Sequence, residues 1–186
     1  MKILATILLL SGLAFAQSDS QLAQRPGNPA VSQERIQREV RHELAMLPYY
    51  TIFDNLEFKV EGNTVTLIGQ VTNPTLKDDA GRVVKKVEGV EQVKNNIEVL
   101  PLSPDDDRIR RQVARAIFGT DGLWKYSMSA MPPVHIIVKT GHVTLKGIVD
   151  NSMDKQLAYT AANRVPGIFS VDNDLQVANA TSASNK

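Results

Sequence analysis

Along this chain, apolar stripes at helical spacing and short apolar alternations follow one another in a set order, and the order runs through twice. Ile36, Val40, Leu44 and Leu47 form a stripe with Arg35, Arg38, Glu39 and Glu43 on the opposite side, the pattern of a helix that buries one face. Ser32 reads as its N-cap with Glu34 in the first turn, and Pro48 ends it. Leu56, Phe58 and Val60 then alternate with Glu57 and Lys59, and Val65, Leu67 and Val71 alternate on the return from a Gly62-Asn63 turn. That is the period of a hairpin with one buried face. Asn73-Pro74 predicts the cap and first position of a second helix, with Ala80, Val83, Val84 and Val87 inward and Gly89-Val90 as a Schellman-type stop. A closing strand is expected from about Glu91 to Leu100.

The second pass repeats this grammar. Val143-Thr144-Leu145-Lys146-Gly147-Ile148-Val149 restates Val65-Thr66-Leu67-Ile68-Gly69-Gln70-Val71 at an offset of 78, which also carries Val87, Gly89, Val93, Asn95, Ile97 and Val99 onto Val165, Gly167, Val171, Asn173, Leu175 and Val177. The first helices match at an offset of 73 (Ile36, Val40 and Leu44 onto Ile109, Val113 and Ile117), so the second copy has five extra residues before its first strand. Ser103-Pro104-Asp105-Asp106 predicts a capped start with a capping-box acid, and Asn151 caps the last helix, whose inward residues are Ala158, Ala161, Ala162 and Val165. Val134, Ile136 and Val138 make the second copy's first strand, with Thr140-Gly141 in the turn.

The prediction is an α+β protein of two tandem αββαβ domains, each a three-stranded mixed sheet with two helices on one face. The crossover helix should return the last strand parallel to the middle one. Residues 32–101 and 102–178 are the two units, and only Leu100-Pro101-Leu102 joins them, so they must touch. Gly69 and Gly147 interrupt an inward row, where a helix crossing the sheet would need room. Asn95 and Asn173 sit inward among valines and must find backbone partners, expected in the gap beside those glycines.

The pattern V-x-L-x-G-x-V, a helix, G-V, then V-x-N-x-I/L-x-V resembles the BON (bacterial OsmY and nodulation) domain family. The matching positions are Val65, Leu67, Gly69, Val71, Gly89, Val90, Val93, Asn95, Ile97 and Val99, and again Val143, Leu145, Gly147, Val149, Gly167, Ile168, Val171, Asn173, Leu175 and Val177. The resemblance spans about Ser32 to Ala178. It implies a non-enzymatic αββαβ fold, a place in the bacterial envelope, association with phospholipid surfaces, and a link to osmotic or envelope stress.

Composition sharpens the picture further. Lys2, the apolar run Ile3 to Leu13 and Ala14-Phe15-Ala16 form an export signal, too short to span a bilayer, with cleavage expected after Ala16. Gln17 follows that site in place of a lipid-bearing Cys, so a soluble or peripherally attached periplasmic protein is expected. Residues 17–31, with Pro26, Gly27 and Pro29, read as a disordered lead-in, and residues 179–186 as a disordered tail. Without Lys2 the 21 basic side chains fall to 20, equal to the 20 acidic ones, and such neutrality argues against a nucleic-acid partner. With no Cys, neither disulfides nor thiolate metal sites are available.

Candidate chemistry is sparse. His42, His135 and His142 are not spaced as a metal site, and in the predicted hairpin His142 lies opposite Lys139 and His135 opposite Lys146. No residue set suggests a catalytic triad, a phosphate-binding loop or a cofactor. Asp105, Asp106 and Asp107 fall in a first helical turn, with Asp106–Arg110 and Asp107–Arg111 as i,i+4 pairs. Arg108, Arg111 and Arg115 make a stripe on one helix, read either as a solvated face or as a contact for anionic headgroups. The stretch Leu123-Trp124-Lys125-Tyr126 through Pro133, built around the insertion, holds the single Trp. Its Trp, Lys and Tyr suit a membrane interface, or else fold over the core or the domain junction. Lys155, Tyr159 and Arg164 add to the candidate lipid contacts. The expected partner is a phospholipid headgroup surface, with a chaperone's unfolded or membrane-protein clients as the alternative. Oligomeric state is left open.

Overall fold

The computed structural model describes residues 29–129 and 132–178. The expected signal at 1–16, the lead-in as far as 28 and the tail at 179–186 lie outside the described residues. The first copy folds as α1 (Pro29–Ala45), β1 (Asn55–Glu61), β2 (Thr64–Val71), α2 (Pro74–Val84), β3 (Gln92–Asn95) and β4 (Glu98–Val99). The second runs α3 (Pro104–Phe118), a 3-10 turn (Trp124–Ser127), β5 (Val134–Lys139), β6 (His142–Val149), α4 (Ser152–Asn163), β7 (Ser170–Asn173) and β8 (Gln176–Val177). Helix α1 is already formed at Pro29, so Ser32 lies inside it and is not its cap. The other three caps form as expected: Asn73 accepts from Thr75 N, Ser103 from Asp106 N and Asn151 from Asp154 N.

In each sheet the middle strand pairs antiparallel with the first and parallel with the last. The expected continuous closing strand is broken into two pieces, β3 with β4 and β7 with β8. Asn95 causes the break: its Oδ1 accepts from Ile97 N (3.3 Å) while its Nδ2 donates to the Lys77 carbonyl on α2 (2.8 Å). Asn173 does the same with Leu175 N and the Lys155 carbonyl at 3.0 Å. The half-buried amides therefore tie strand to helix, not to a gap beside Gly69 or Gly147. A side chain that bonds the backbone two residues on competes with the sheet ladder.

The glycines are also required for a different reason. A Cβ on Gly69 would stand 2.1 Å from the Asn55 carbonyl oxygen, and one on Gly147 would stand 1.9 Å from that of Pro133. Both residues have positive φ, 123° and 113°, a conformation nearly reserved for glycine. The crowding comes from the chain entering the neighbouring strand, not from a crossing helix. The helices end at Val84 and Asn163, short of Gly89 and Gly167, so those two glycines close the turn after each helix.

Two separate cores result. In the first, Val40, Val65, Leu67, Val71, Ala80 and Val84 are fully buried; in the second, Val113, Ile136, Val138, Val143, Leu145 and Ala162. The domains touch, as the short linker requires. Ile136 N donates to the Ile52 carbonyl (2.7 Å), and Phe53 packs against the second core. Lys146 reaches Glu57 (3.0 Å) and Lys139 reaches Glu98 (2.5 Å), while the Tyr50 ring stacks on His135 at 5.5 Å.

Candidate functional site

The inserted residues of the second copy build a platform. Leu123 and Tyr126 turn into the core, leaving Trp124 between them 57% exposed. Tyr126 donates its hydroxyl to Asp154 Oδ2 (2.6 Å) and accepts from Asp150 N (2.8 Å), pinning the 3-10 turn to the start of α4. Lys125 Nζ lies 2.7 Å from Asp150 and 2.8 Å from Asp154. Those bonds, Asp150 first, raise the Lys125 pKa. Burial alone would raise the Asp154 pKa, but hydrogen bonds from Lys125 and Tyr126 outweigh it and hold the carboxyl below its usual range. Burial, then the bond to Asp154, raises the Tyr126 phenol. Of the three candidate loop residues, then, Trp124 is presented to solvent, Lys125 has its charge matched by two carboxylates, and Tyr126 is an internal brace. Met128 and Met153, on the two segments this brace joins, are also exposed.

The arginine stripe divides. Arg108 sits 3.6 Å from Asp105 and donates to Gln112; Arg111 is exposed; Arg115 Nε donates to the Arg111 carbonyl. Across the interhelical groove, α4 brings Arg164 to the same hollow as Arg115, a groove of about 380 Å³ also lined by Gln112, Thr120, Val165 and Pro166. Lys155 and Tyr159 lie on α4, both half-buried, and do not line this groove. The corresponding groove between α1 and α2 contains Arg38, His42 and Lys86, but also Glu39, Glu43 and Glu88. The structure therefore pairs two arginines 49 positions apart (164 minus 115) in a groove with no carboxylate, where the first copy has three.

The acidic turn of α3 behaves differently from the expected i,i+4 pairs. Asp106 is buried and accepts from Thr140 N (2.9 Å) and Gly141 N (2.8 Å), clamping the β5–β6 turn in place of closing a capping box. Asp107 instead pairs with Arg110, at i,i+3. Arg110, itself buried, donates to the Val138 carbonyl at 2.7 Å. In the first copy Asp54 is the buried acid, accepting from the amides and hydroxyls of Thr51 and Thr72. Buried acids and a buried arginine were not readable in the sequence, because nothing local distinguishes them from solvated neighbours. Among the described residues no three His, Asp or Glu side chains gather as a metal site would need, and no helix is long and apolar enough to cross a membrane.

Two mixed three-row sheets, each with two helices packed on one face and joined by a three-residue linker, define a tandem αββαβ protein. The BON domain model matches it twice, over residues 32–101 and 105–179, and the chain belongs to the BON domain family. It is 28% identical over 131 residues to the osmotically-inducible protein Y of Escherichia coli K12, a match covering 66% of this chain and 61% of that protein. The match thus spans about three-fifths of that relative's length. Two solved structures of CdsD, described as a structural protein of the Type III secretion system of Chlamydia trachomatis, are similar at 13% and 16% identity. They cover 75% and 80% of this chain and 96% of each of theirs, with TM-scores of 0.30 and 0.27, too low to carry any argument.

Proposed function

We propose that this is an exported envelope protein, active in osmotic or envelope stress, whose second domain rests reversibly on anionic phospholipid surfaces. The observation that carries the reading is the charge contrast between equivalent helical grooves: Arg115 and Arg164 without a carboxylate in the second, three glutamates in the first. Side-chain totals run the same way, with 9 basic and 11 acidic residues over 32–101 against 9 and 8 over 102–178. Arg108, Arg111 and Lys155 extend the cationic surface, and exposed Trp124 supplies a ring suited to headgroup depth. Each cation near such a surface is worth about 1 kcal/mol and is screened within a Debye length, so the attachment is weak and salt-reversible. The named relative's osmotic induction supports the physiological setting.

Co-sedimentation with vesicles of phosphatidylglycerol and phosphatidylcholine tests this. Binding should need the anionic lipid, fade with salt, and drop on Arg115→Glu with Arg164→Glu, while Trp124 emission shifts with lipid. Binding equally strong for neutral vesicles, or unmoved by the double reversal, would refute it. Intact mass of the exported chain tests cleavage after Ala16. A chaperone acting on unfolded or membrane-protein clients is the second reading, favoured by the exposed Met128, Met153 and Phe169, since methionine-rich surfaces adapt to varied partners. Suppression of client aggregation without lipid distinguishes it.

A further inference from the structure

The outer edge strands of the two sheets are covered to different extents, β5 along its length and β1 only where the Tyr50 hydroxyl accepts from the Leu56 N–H. At β5 the outward groups are taken: Ile136 N by the Ile52 carbonyl of the first domain, and the Val138 carbonyl by buried Arg110. Val134, Ile136 and Val138 are buried accordingly. At β1 the equivalent residues Leu56, Phe58 and Val60 are only half-buried. Leu67, opposite Phe58, directs its carbonyl to Asn96 N on the far side (2.9 Å), so Phe58 points both its N–H and its carbonyl away from the sheet. Among the described residues nothing takes those groups, and position 37, equivalent to Arg110, is Gln. A groove of about 720 Å³ follows this edge between Gln37 and Arg41 of α1 and Gln176 of the second domain.

The edge sequence is self-complementary when reversed. About Phe58 as centre, antiparallel pairing with a second copy sets Phe58 against Phe58, Leu56 against Val60, and Glu57 against Lys59. The residues whose backbone groups face outward are then the ones that become hydrogen-bonded pairs. Exchange at 56–60, 58–58 and 60–56 offers six bonds, and because the Tyr50 hydroxyl already accepts from the Leu56 N–H in each copy, about four are gained outright. The apolar side chains meet on the helix-covered side, and two Glu57–Lys59 pairs form on the open side, where opposite charges across strands stabilise and like charges oppose. Glu57 keeps capacity for this, since Asn55 and Lys146 both bond its Oε1. Exposed edges invite strand addition unless blocked, and a two-fold contact closes on itself.

We propose that the protein self-associates through β1, two copies joining their first sheets antiparallel about Phe58. The proposal does not depend on lipid binding, and its test contains no lipid. Sedimentation velocity of the signal-free chain over a concentration series should show a monomer–dimer equilibrium. Lys59→Glu sets Glu57 against glutamate twice and should weaken dimerisation at least tenfold; Glu57→Lys should do so through lysine. Mixing the two variants restores both opposite-charge pairs, so an equimolar mixture should form a heterodimer that neither gives alone, with far-UV circular dichroism confirming that each is folded. A wild-type chain that stays monomeric throughout, variants that dimerise like wild type, or a mixture that stays monomeric would each overturn the proposal. So would wild-type chains that bind an extended peptide at this edge while remaining monomeric, since the occupant would then be another protein.

Discussion

Replacing Gly147 by Ala places a methyl group 1.9 Å from the Pro133 carbonyl oxygen, well inside contact distance. Two costs arise, and a second glycine separates them. Gly122, in the same domain, also has positive φ (85°), but a Cβ there meets nothing within 4 Å. Gly122→Ala therefore measures conformational strain alone, about 1–3 kcal/mol for a residue held in a sparsely populated region. Gly147→Ala carries similar strain at φ 113°, and adds displacement of the Pro133 carbonyl. Such overpacking costs about 1–3 kcal/mol. The displaced carbonyl also accepts from Ile148 N at 3.0 Å, a bond worth about 0.5–1.5 kcal/mol net. The expected loss is thus about 2.5–7.5 kcal/mol, about 1.5–4.5 more than for Gly122→Ala, against the 5–15 typical of a whole small protein. Urea unfolding of both variants with unchanged m-value measures the difference directly. Equal losses for the two would show that the close approach to Pro133 costs nothing and that the argument for this glycine is wrong.

Asp106→Ala leaves the Thr140 and Gly141 amides without their acceptor, and should destabilise the second domain by about 2–5 kcal/mol, with Asp106→Asn intermediate; a denaturant melt within error of wild type would contradict the clamp. Tyr126→Phe removes a buried bond to a carboxylate and should cost about 1.5–3 kcal/mol while changing Trp124 emission, which fluorescence-detected unfolding reads in one experiment. His135 lies at the domain junction, its pKa lowered first by burial, against the opposing effects of backbone bonds and the Asp54 charge. The unfolded imidazole takes up a proton as pH falls through about 6.5 while the folded one resists. His135 should therefore make the protein less stable at pH 5 than at pH 7.5, and His135→Gln should flatten that part of the pH–stability curve; an unchanged slope would assign it elsewhere.

Much of the fold is local, and so was legible in advance. Alternation at Val65–Val71 and Val143–Val149 set each middle strand and its inward face, and Asn73, Ser103 and Asn151 capped the helices as their side-chain chemistry dictates. The repeat offset identified equivalent positions without any coordinates. What required the tertiary structure was every choice between physically similar partners. Asn95 could satisfy its amide beside Gly69 or on α2, and only the packed crossover put the Lys77 carbonyl within reach. Asp105, Asp106 and Asp107 look alike in sequence, yet Asp106 alone meets the β5–β6 turn, because a helix presents successive residues in directions about 100° apart. Trp124 and Tyr126 are two residues apart in one turn, and the position of Asp154 decides which is buried. Arg115 and Arg164 share a groove only because α3 and α4 pack together. The edges of β1 and β5 carry the same apolar alternation, but the loop at Ile52 lies against just one of them. Periodicity declares what a segment must bury, whereas the partner that buries it is fixed by contacts between residues far apart in the chain.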